Sequence, residues 1–407
     1  MTQQPVDVLF AISDTGGGHR SAAVALSAAF DQASGGSLAW SIDDILRLTD
    51  LPGVRGAPDF YDQLSTRWLR LYDLTFQLTN TTRTVDLLSR LVFLTARRNL
   101  TRLLVERRPS LVVSTHPLVH RLVVAVRRAK RLPFRVITVV TDLVSLHASW
   151  TYPGVDLALV PTDEAFQIMY RRGMRPTQLQ RTGFPVHPKF VAYNLGQRES
   201  RLALGLDPDK FTLLVTAGGV GSGRLSELVL ELERAFPTQQ LLVITGKNKV
   251  IQEELARRVR SRHSHIYGFV NNMEALMAAS DLVVTKAGPG TLMEALVMRK
   301  PVIVTEAVGM QERGNIDFVL NYELGLFCPT NERIVDAVRE LESPQRRADT
   351  VLRLEGAVPR DGSAQIAQIM MEQLTLVDNP PAGASARRHQ GLLGFPRWGR
   401  RFTRGRR

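Results

Sequence analysis

The chain has 407 residues, of which 44% are hydrophobic and 22% charged, with a formal net charge of +13. That length and apolar content suit two α/β domains with their own cores and exclude a fibrous or disordered chain. A lone cysteine, Cys328, excludes an internal disulfide and a cysteine-built metal site. No run of eighteen apolar residues occurs and Asp7 interrupts the first apolar stretch, so neither a transmembrane helix nor a signal peptide is expected. The expected setting is cytoplasmic, with any membrane contact peripheral.

In chain order, residues 6–13 (VDVLFAIS) read as a buried strand, 14–19 (DTGGGH) as a glycine turn and 20–30 as an Ala-rich helix, the opening of a Rossmann-like half. The spacing is not G-x-G-x-x-G, so no nicotinamide cofactor is indicated. His19 stands at the helix N-terminus, where the dipole disfavours protonation and leaves an imidazole able to accept a proton. The plain alternative is a turn histidine that hydrogen-bonds its own loop. From 59 to 109, large apolar residues recur at helical spacing. Phe60, Tyr61, Trp68, Tyr72 and Phe76 occur there with Arg67, Arg70, Arg97 and Arg98, a combination that fits either a core stripe or an interfacial helix on anionic lipid. The next strand ends at His116, with Pro117 placed to open a helix. His116 and His120 are four apart, but no HExxH glutamate or third ligand accompanies them, so zinc is not expected. Another strand ends at Asp142, followed by His147 and Trp150.

Residues 181–190 (RTGFPVHPKF) have the prolines and glycine of a linker. Asp207-Pro-Asp209 spells D-x-D but reads as turn chemistry ahead of a strand. FTLLVTAGGVGSGRL then gives a strand and a loop with glycines 218, 219, 221 and 223, and HIYGFV holds Phe269 and Val270 at a strand end. The most informative stretch is 281–315, DLVVTKAGPGTLMEALVMRKPVIVTEAVGMQERGN: a strand, a glycine loop with Lys286, Gly288, Pro289 and Gly290, a helix from Thr291, and one strand later a second turn at 309–315 with Gln311, Glu312 and Asn315. Unpaired backbone N–H groups at such a helix start carry partial positive charge, so a diphosphate fits there and polar neighbours suit a sugar. The competing reading makes Thr291 and Glu294 a capping box that satisfies the helix's own orphan donors. After Asp378 there are eight arginines and no acidic residue, leaving +5 for the remainder, and Phe395, Trp398 and Phe402 lie between the arginines. A solvated tail, an anionic membrane surface and a nucleic acid are the three readings. No nucleic-acid module accompanies the tail, so nucleic acid is not the expected partner.

KAGPGTLMEAL followed by GMQERGN, together with SDTGGGHRSAA at the start, resembles the monogalactosyldiacylglycerol synthases and processive diacylglycerol glucosyltransferases of glycosyltransferase family 28. The resemblance spans about residues 6–375. It implies the GT-B fold, α/β with two Rossmann-like doubly wound domains facing a central cleft. The implied division is an acceptor and membrane-docking domain over 1–185, a UDP-sugar domain over 186–356, a helix over 357–378 crossing back, and a basic tail over 379–407. The implied reaction is inverting transfer of galactose or glucose from a UDP-hexose to diacylglycerol on an anionic membrane surface, without metal or other cofactor.

His19 is then the catalytic base, with Asp142 assisting. Gly17, Gly18, His116, His147 and Trp150 lie on the acceptor side, where Asp142 and His147 either orient His19 or the acceptor hydroxyl, or cap their loop. Gly288, Gly290 and Thr291 hold the diphosphate, Lys286 and Pro289 are further donor-binding positions, Gly219 lies in a loop that admits the donor phosphates or the acceptor, Phe269 and Val270 hold the uracil through backbone groups, Glu294 takes the ribose, and Gln311 and Glu312 the sugar. The family's usual P-G-Q-E is here Gly309-Met310-Gln311-Glu312, which leaves the sugar's identity open. The rivals are an N-acetylglucosaminyltransferase acting on a lipid-linked peptidoglycan precursor and a UDP-sugar epimerase.

Overall fold

The structure is a computed structural model that describes residues 4–14, 18–49, 69–216, 224–307 and 309–378. Gly17, Gly219, Phe60, Tyr61, Arg67, Trp68 and the basic segment 379–407 lie outside the described residues.

The first lobe is a six-stranded parallel sheet, β1 (Val8–Ile12), β2 (Trp40–Asp44), β3 (Leu111–Ser114), β4 (Arg135–Val139), β5 (Leu157–Val160) and β6 (Leu179–Arg181), in the order β2-β1-β3-β4-β5-β6. The second lobe repeats the plan with β7 (Thr212–Thr216), β8 (Gln240–Ile244), β9 (Ser264–Tyr267), β10 (Leu282–Thr285), β11 (Val302–Val304) and β12 (Gly325–Phe327), in the order β12-β11-β10-β7-β8-β9. The unbroken apolar runs of β1, β3, β7, β8 and β10 are the signature of strands covered by helices on both faces, and every residue of these strands is buried. Each lobe is thus a doubly wound α/β unit.

In such sheets ligands bind beyond the carboxyl ends of the strands where the winding order reverses. That point falls between β1 and β3 in the first lobe and between β7 and β10 in the second. The helix that follows β1 carries His19 near its start, the loop leaving β3 carries Thr115–His116, and the loop leaving β10 carries Lys286–Gly288.

Three cross-connections join the lobes. The Gly362–Asp378 helix returns to the first lobe, where Ile366, Ile369, Met370 and Leu374 pack with Val8, Phe10, Ile12, Leu26 and Phe30. In the other direction Leu143, from the loop after β4, is buried in the core of the second lobe. The Leu69–Thr79 helix also reaches across, Asp73 accepting from the Met310 N–H at 2.8 Å.

Three local expectations change. The helix expected from Pro117 begins at Val119, with Leu118 N–H donating to His116 Nδ1 at 3.2 Å in the intervening turn. The second turn expected over 309–315 is the start of a helix, Gly309–Asn321: Gly309 takes the left-handed turn alone at φ 64°, and the chain winds on. Gly314 sits inside that helix for a packing reason, since a Cβ there would lie 2.6 Å from the Ser145 backbone nitrogen across the cleft. The Thr291–Glu294 capping box is also absent, because the helix is Pro289–Val297 with Gly288 at its N-cap, which makes Thr291 a third helical residue rather than a cap.

Candidate active site

The first lobe contributes buried, fixed side chains. His19 is the second residue of the Gly18–Ser34 helix, and its Nδ1 lies 2.7 Å from the Thr115 carbonyl oxygen. A carbonyl only accepts, so Nδ1 carries the proton and Nε2 keeps a lone pair. Thr115 Oγ1 donates back to the His19 carbonyl at 2.9 Å, locking the helix start to the end of β3. The half-buried ring is packed edge-on against His116, with centroids 4.7 Å apart, and lies 6.2 Å from the Trp150 ring. Burial lowers the His19 pKa to about 4 against the opposing pull of the Thr115 carbonyl, so the imidazole is neutral throughout the physiological range. Burial, reinforced by the neighbouring His19 and His120, likewise holds His116 well below an ordinary histidine.

Asp142 is buried but does not orient His19. Its Oδ2 accepts from the Nε1 of fully buried Trp150 at 2.6 Å, and its Oδ1 accepts from Gln311 Nε2 of the second lobe at 3.0 Å. Desolvation pushes its carboxyl up to about 6, opposed by those two hydrogen bonds and assisted by the nearby Glu312. His147 takes the capping role: its Nδ1 accepts from Ser149 N–H at 3.2 Å, and its Nε2 lies 3.2 Å from Thr79 Oγ1. The residue that fixes the His19 tautomer is Thr115, which sequence reading passed over. The available signal was its position, one residue past β3 at the switch point of the sheet.

The second lobe contributes backbone and half-buried polar groups. Gly288 caps the Pro289–Val297 helix, whose first-turn N–H groups have no intrahelical partner, and at Gly290 nothing lies within 4 Å of where a Cβ would stand. Lys286 Nζ pairs with Glu312 Oε1 at 3.0 Å beside Gly288. Asn315 Nδ2 donates to the Ala287 carbonyl at 2.7 Å, tying the Gly309–Asn321 helix to this loop. Gln311 and Glu312 lie in the first turn of that helix, where a carboxylate is favoured by the dipole. Glu294, one turn into its own helix, has its carboxyl pushed up to about 7, chiefly by burial. Phe269 is 66% exposed, while Val270 is partly buried against the core of the second lobe.

The structure thus brings His19, His116, Asp142 and Trp150 together on one side of the cleft. On the other it groups Lys286, Gly288, Gln311 and Glu312. The Asp142–Gln311 hydrogen bond joins the two sides, and the Gly18–Ser34 and Pro289–Val297 helices pack against each other. Among the described residues no group of three His, Cys, Asp or Glu side chains is placed to hold a metal ion. The Asp207–Asp209 segment forms a turn, Asp209 N–H donating to Asp207 Oδ1 at 3.1 Å.

Comparison with solved structures gives the same architecture. The fold is similar to Acinetobacter baumannii MurG (TM-score 0.59, 12% identity, 90% of this chain and 100% of that one) and to CalG4, the calicheamicin glycosyltransferase (TM-score 0.62, 14% identity, 92% and 100%). It is also similar to S. aureus MnaA, solved with UDP (TM-score 0.60, 14% identity, 92% and 99%). This is the GT-B fold, and at such identities the likeness concerns fold alone. By sequence, residues 19–186 match the model of monogalactosyldiacylglycerol (MGDG) synthase and residues 212–307 that of the glycosyltransferase family 28 C-terminal domain. The chain is 30% identical over 355 residues to the chloroplastic monogalactosyldiacylglycerol synthase of Spinacia oleracea, covering 84% of this chain and 67% of that protein. It is 32% identical over 331 residues to monogalactosyldiacylglycerol synthase 3 of Arabidopsis thaliana, covering 79% and 70%. The chain therefore spans about two thirds of the length of these relatives. With both halves matched in order and the two half-sites facing one cleft, the chain belongs to the monogalactosyldiacylglycerol synthase family.

Proposed function

We propose that this protein transfers galactose from UDP-galactose to the free hydroxyl of diacylglycerol, with inversion at the anomeric carbon. The observation that carries the reading is the fixed His19 tautomer, with Nδ1–H on Thr115 and the Nε2 lone pair available, on a helix packed against the one whose N-terminus would hold the diphosphate. In the reaction Nε2 takes the proton of the acceptor hydroxyl as its oxygen attacks the anomeric carbon. The bond to the diphosphate breaks, and UDP leaves with the electron pair. A lowered pKa makes His19 a weak base in the free protein; a bound diphosphate places negative charge nearby and raises the ring's proton affinity when it is needed. The first-turn N–H groups of the Pro289–Val297 helix, with Lys286, meet the charge developing on the leaving group, a task that requires no metal. Gln311 and Glu312 supply hydrogen-bonding groups for the hexose and Glu294 for the ribose.

The acceptor is a membrane lipid, and we place the protein peripherally on the inner face of the cell membrane. Among the described residues no helix is long and apolar enough to cross a membrane. The Thr82–Arg107 helix carries Leu87, Leu91 and Leu94 on one stripe at 61%, 52% and 70% exposure, flanked by exposed Arg97 and Arg98. Apolar side chains left in water beside cations suit an anionic bilayer surface, and the arginine-rich segment after Asp378 has the same chemistry.

The test offers the purified protein diacylglycerol liposomes with UDP-galactose, UDP-glucose or UDP-N-acetylglucosamine and follows UDP release. Turnover with UDP-galactose is expected. Release of UDP only with UDP-N-acetylglucosamine and a peptidoglycan-type lipid, or epimerisation without acceptor, would replace this reading.

A further inference from the structure

The linker places a charged side chain in the donor site that the foregoing assignment does not use. Residues Pro188–Ala192 form a short helix just after the crossover between lobes, with His187 Nδ1 accepting from Lys189 N–H at 3.2 Å. Lys189 leaves this helix toward the second lobe. Its Nζ donates to the Asn271 carbonyl at 2.6 Å and forms an ion pair with Glu274 Oε2 at 2.7 Å. Asn271 belongs to the loop that holds Phe269 and Val270, and the linker helix packs against Pro289–Val297, the helix of Glu294.

We infer that Lys189 is a positioning residue for the donor nucleotide: it offsets the combined charge of Glu274 and Glu294, so that Glu294 stays ionised to accept the ribose hydroxyls, and it pins the Phe269–Asn271 loop beside them. This rests on the donor reading given above.

The electrostatics agree with the geometry. Burial is the main cause of the raised Glu294 pKa, Glu274 raises it further, and Lys189 is the cation that lowers it. Without that cation, burial and the Glu274 charge would hold the proton on Glu294 to higher pH, and a protonated Glu294 accepts from the ribose less well. Among the described residues, the elements packed on the Pro289–Val297 helix bring these other groups. His187 beside the linker helix is held below its ordinary pKa by burial and so is neutral above pH 7. The Gly18–Ser34 helix, also packed on Pro289–Val297, brings His19, neutral in that range, and the cation Arg20. Beneath it β10 and β11 carry only Leu, Val, Ile and Thr.

The experiment measures UDP-galactose affinity of the full chain by calorimetry between about pH 6 and 8.5, a window in which this diphosphate diester does not titrate. The wild-type protein, K189M, K189R and E274Q are compared. Wild-type affinity is expected to rise with pH around 7. K189M should bind roughly tenfold more weakly at pH 7 and show its rise about one pH unit higher. K189R should restore both affinity and profile, and E274Q should move the rise to lower pH. Loss of affinity in K189M with an unmoved profile, or K189R as poor as K189M, would overturn the role assigned to Lys189. Absence of any heat from UDP-galactose with the wild-type protein at every pH would instead remove the donor reading on which that role stands.

Discussion

The two lobes share one topology and build their halves of the site by opposite means. The first lobe uses side chains sunk into its core: His116, Asp142 and Trp150 are buried, and His19 is held through Nδ1. The second uses the unpaired backbone of the Pro289–Val297 helix start, with Lys286, Gln311 and Glu312 only half-buried around it. A proton must move at one defined atom, which demands a fixed ring. A diphosphate needs only a field of donors and a side open to entry. On the function proposed above, the same sheet edge gives one half built on a fixed ring and another built on backbone donors.

The largest effect that tests this division is the loss of the imidazole. His19→Ala should lower kcat by about 100- to 10,000-fold while leaving the KM for UDP-galactose within about twofold. A change carried by KM would mean that the first lobe also binds donor. Next comes acid sensitivity. His19 and His147 have pKa values lowered to about 4 and His120 to about 3, all chiefly by burial. Groups with folded pKa values below their unfolded ones contribute stability that is present above about pH 6.5 and lost as pH falls through the folded values. Asp142 runs the other way: its raised value means that its contribution is greatest in acid and is lost as pH rises through about 6. Three histidines outweigh one carboxyl, and the second lobe has no group of comparably depressed histidines among the described residues. Hydrogen exchange at about pH 4.5 and at neutral pH should thus show the first lobe opening first on acidification. Equal protection losses in the two lobes would break the contrast.

Gly314→Ala addresses the seam between the lobes. The new Cβ would meet the Ser145 backbone and side chain, so a cost of about 1–3 kcal/mol is expected, read as a fall in Tm. The smallest effects compare equivalent caps. Thr162 accepts from Ala165 N–H at 3.1 Å and also donates to the buried Leu143 carbonyl, whereas Thr330 caps the Asn331–Leu341 helix and meets Glu332 at an exposed site. Thr162→Ala should cost about 1–2 kcal/mol and Thr330→Ala about 0.5–1 kcal/mol in denaturant unfolding. A reversal would mean that the Leu143 contact contributes nothing.

Much of this was legible in the residues because the information is local. A buried parallel strand announces itself as an apolar run, as β1 and β10 do, and the passage from strand to helix is legible at Gly288. What the sequence hid depends on the approach of distant segments. Gly314 looks like a turn residue until Ser145 is seen to occupy the space of its side chain. Asp142 reads as a partner for His19, yet its oxygens are taken by Trp150 and Gln311, the latter 169 positions away. Lys189 looks like an ordinary linker lysine, since nothing nearby in the chain foretells Glu274. Thr291 and Glu294 have capping-box spacing, but Pro289 carries no N–H and its fixed φ suits a first helical position, so the helix begins earlier, with Gly288 at its cap.

The return of the Gly362–Asp378 helix bears on how the polypeptide matures. Val8, Phe10 and Ile12 emerge early in synthesis, but the face of their sheet that Leu26 and Phe30 cover in part is completed only when Ile366, Ile369 and Met370 arrive more than three hundred residues later. The half of the site that holds His19 is therefore finished last, on a ribosome that has already released the donor half. A nascent or shortened chain ending before this helix would bind nucleotide sooner than it turned it over, and would present an apolar sheet face to aggregation in the interval.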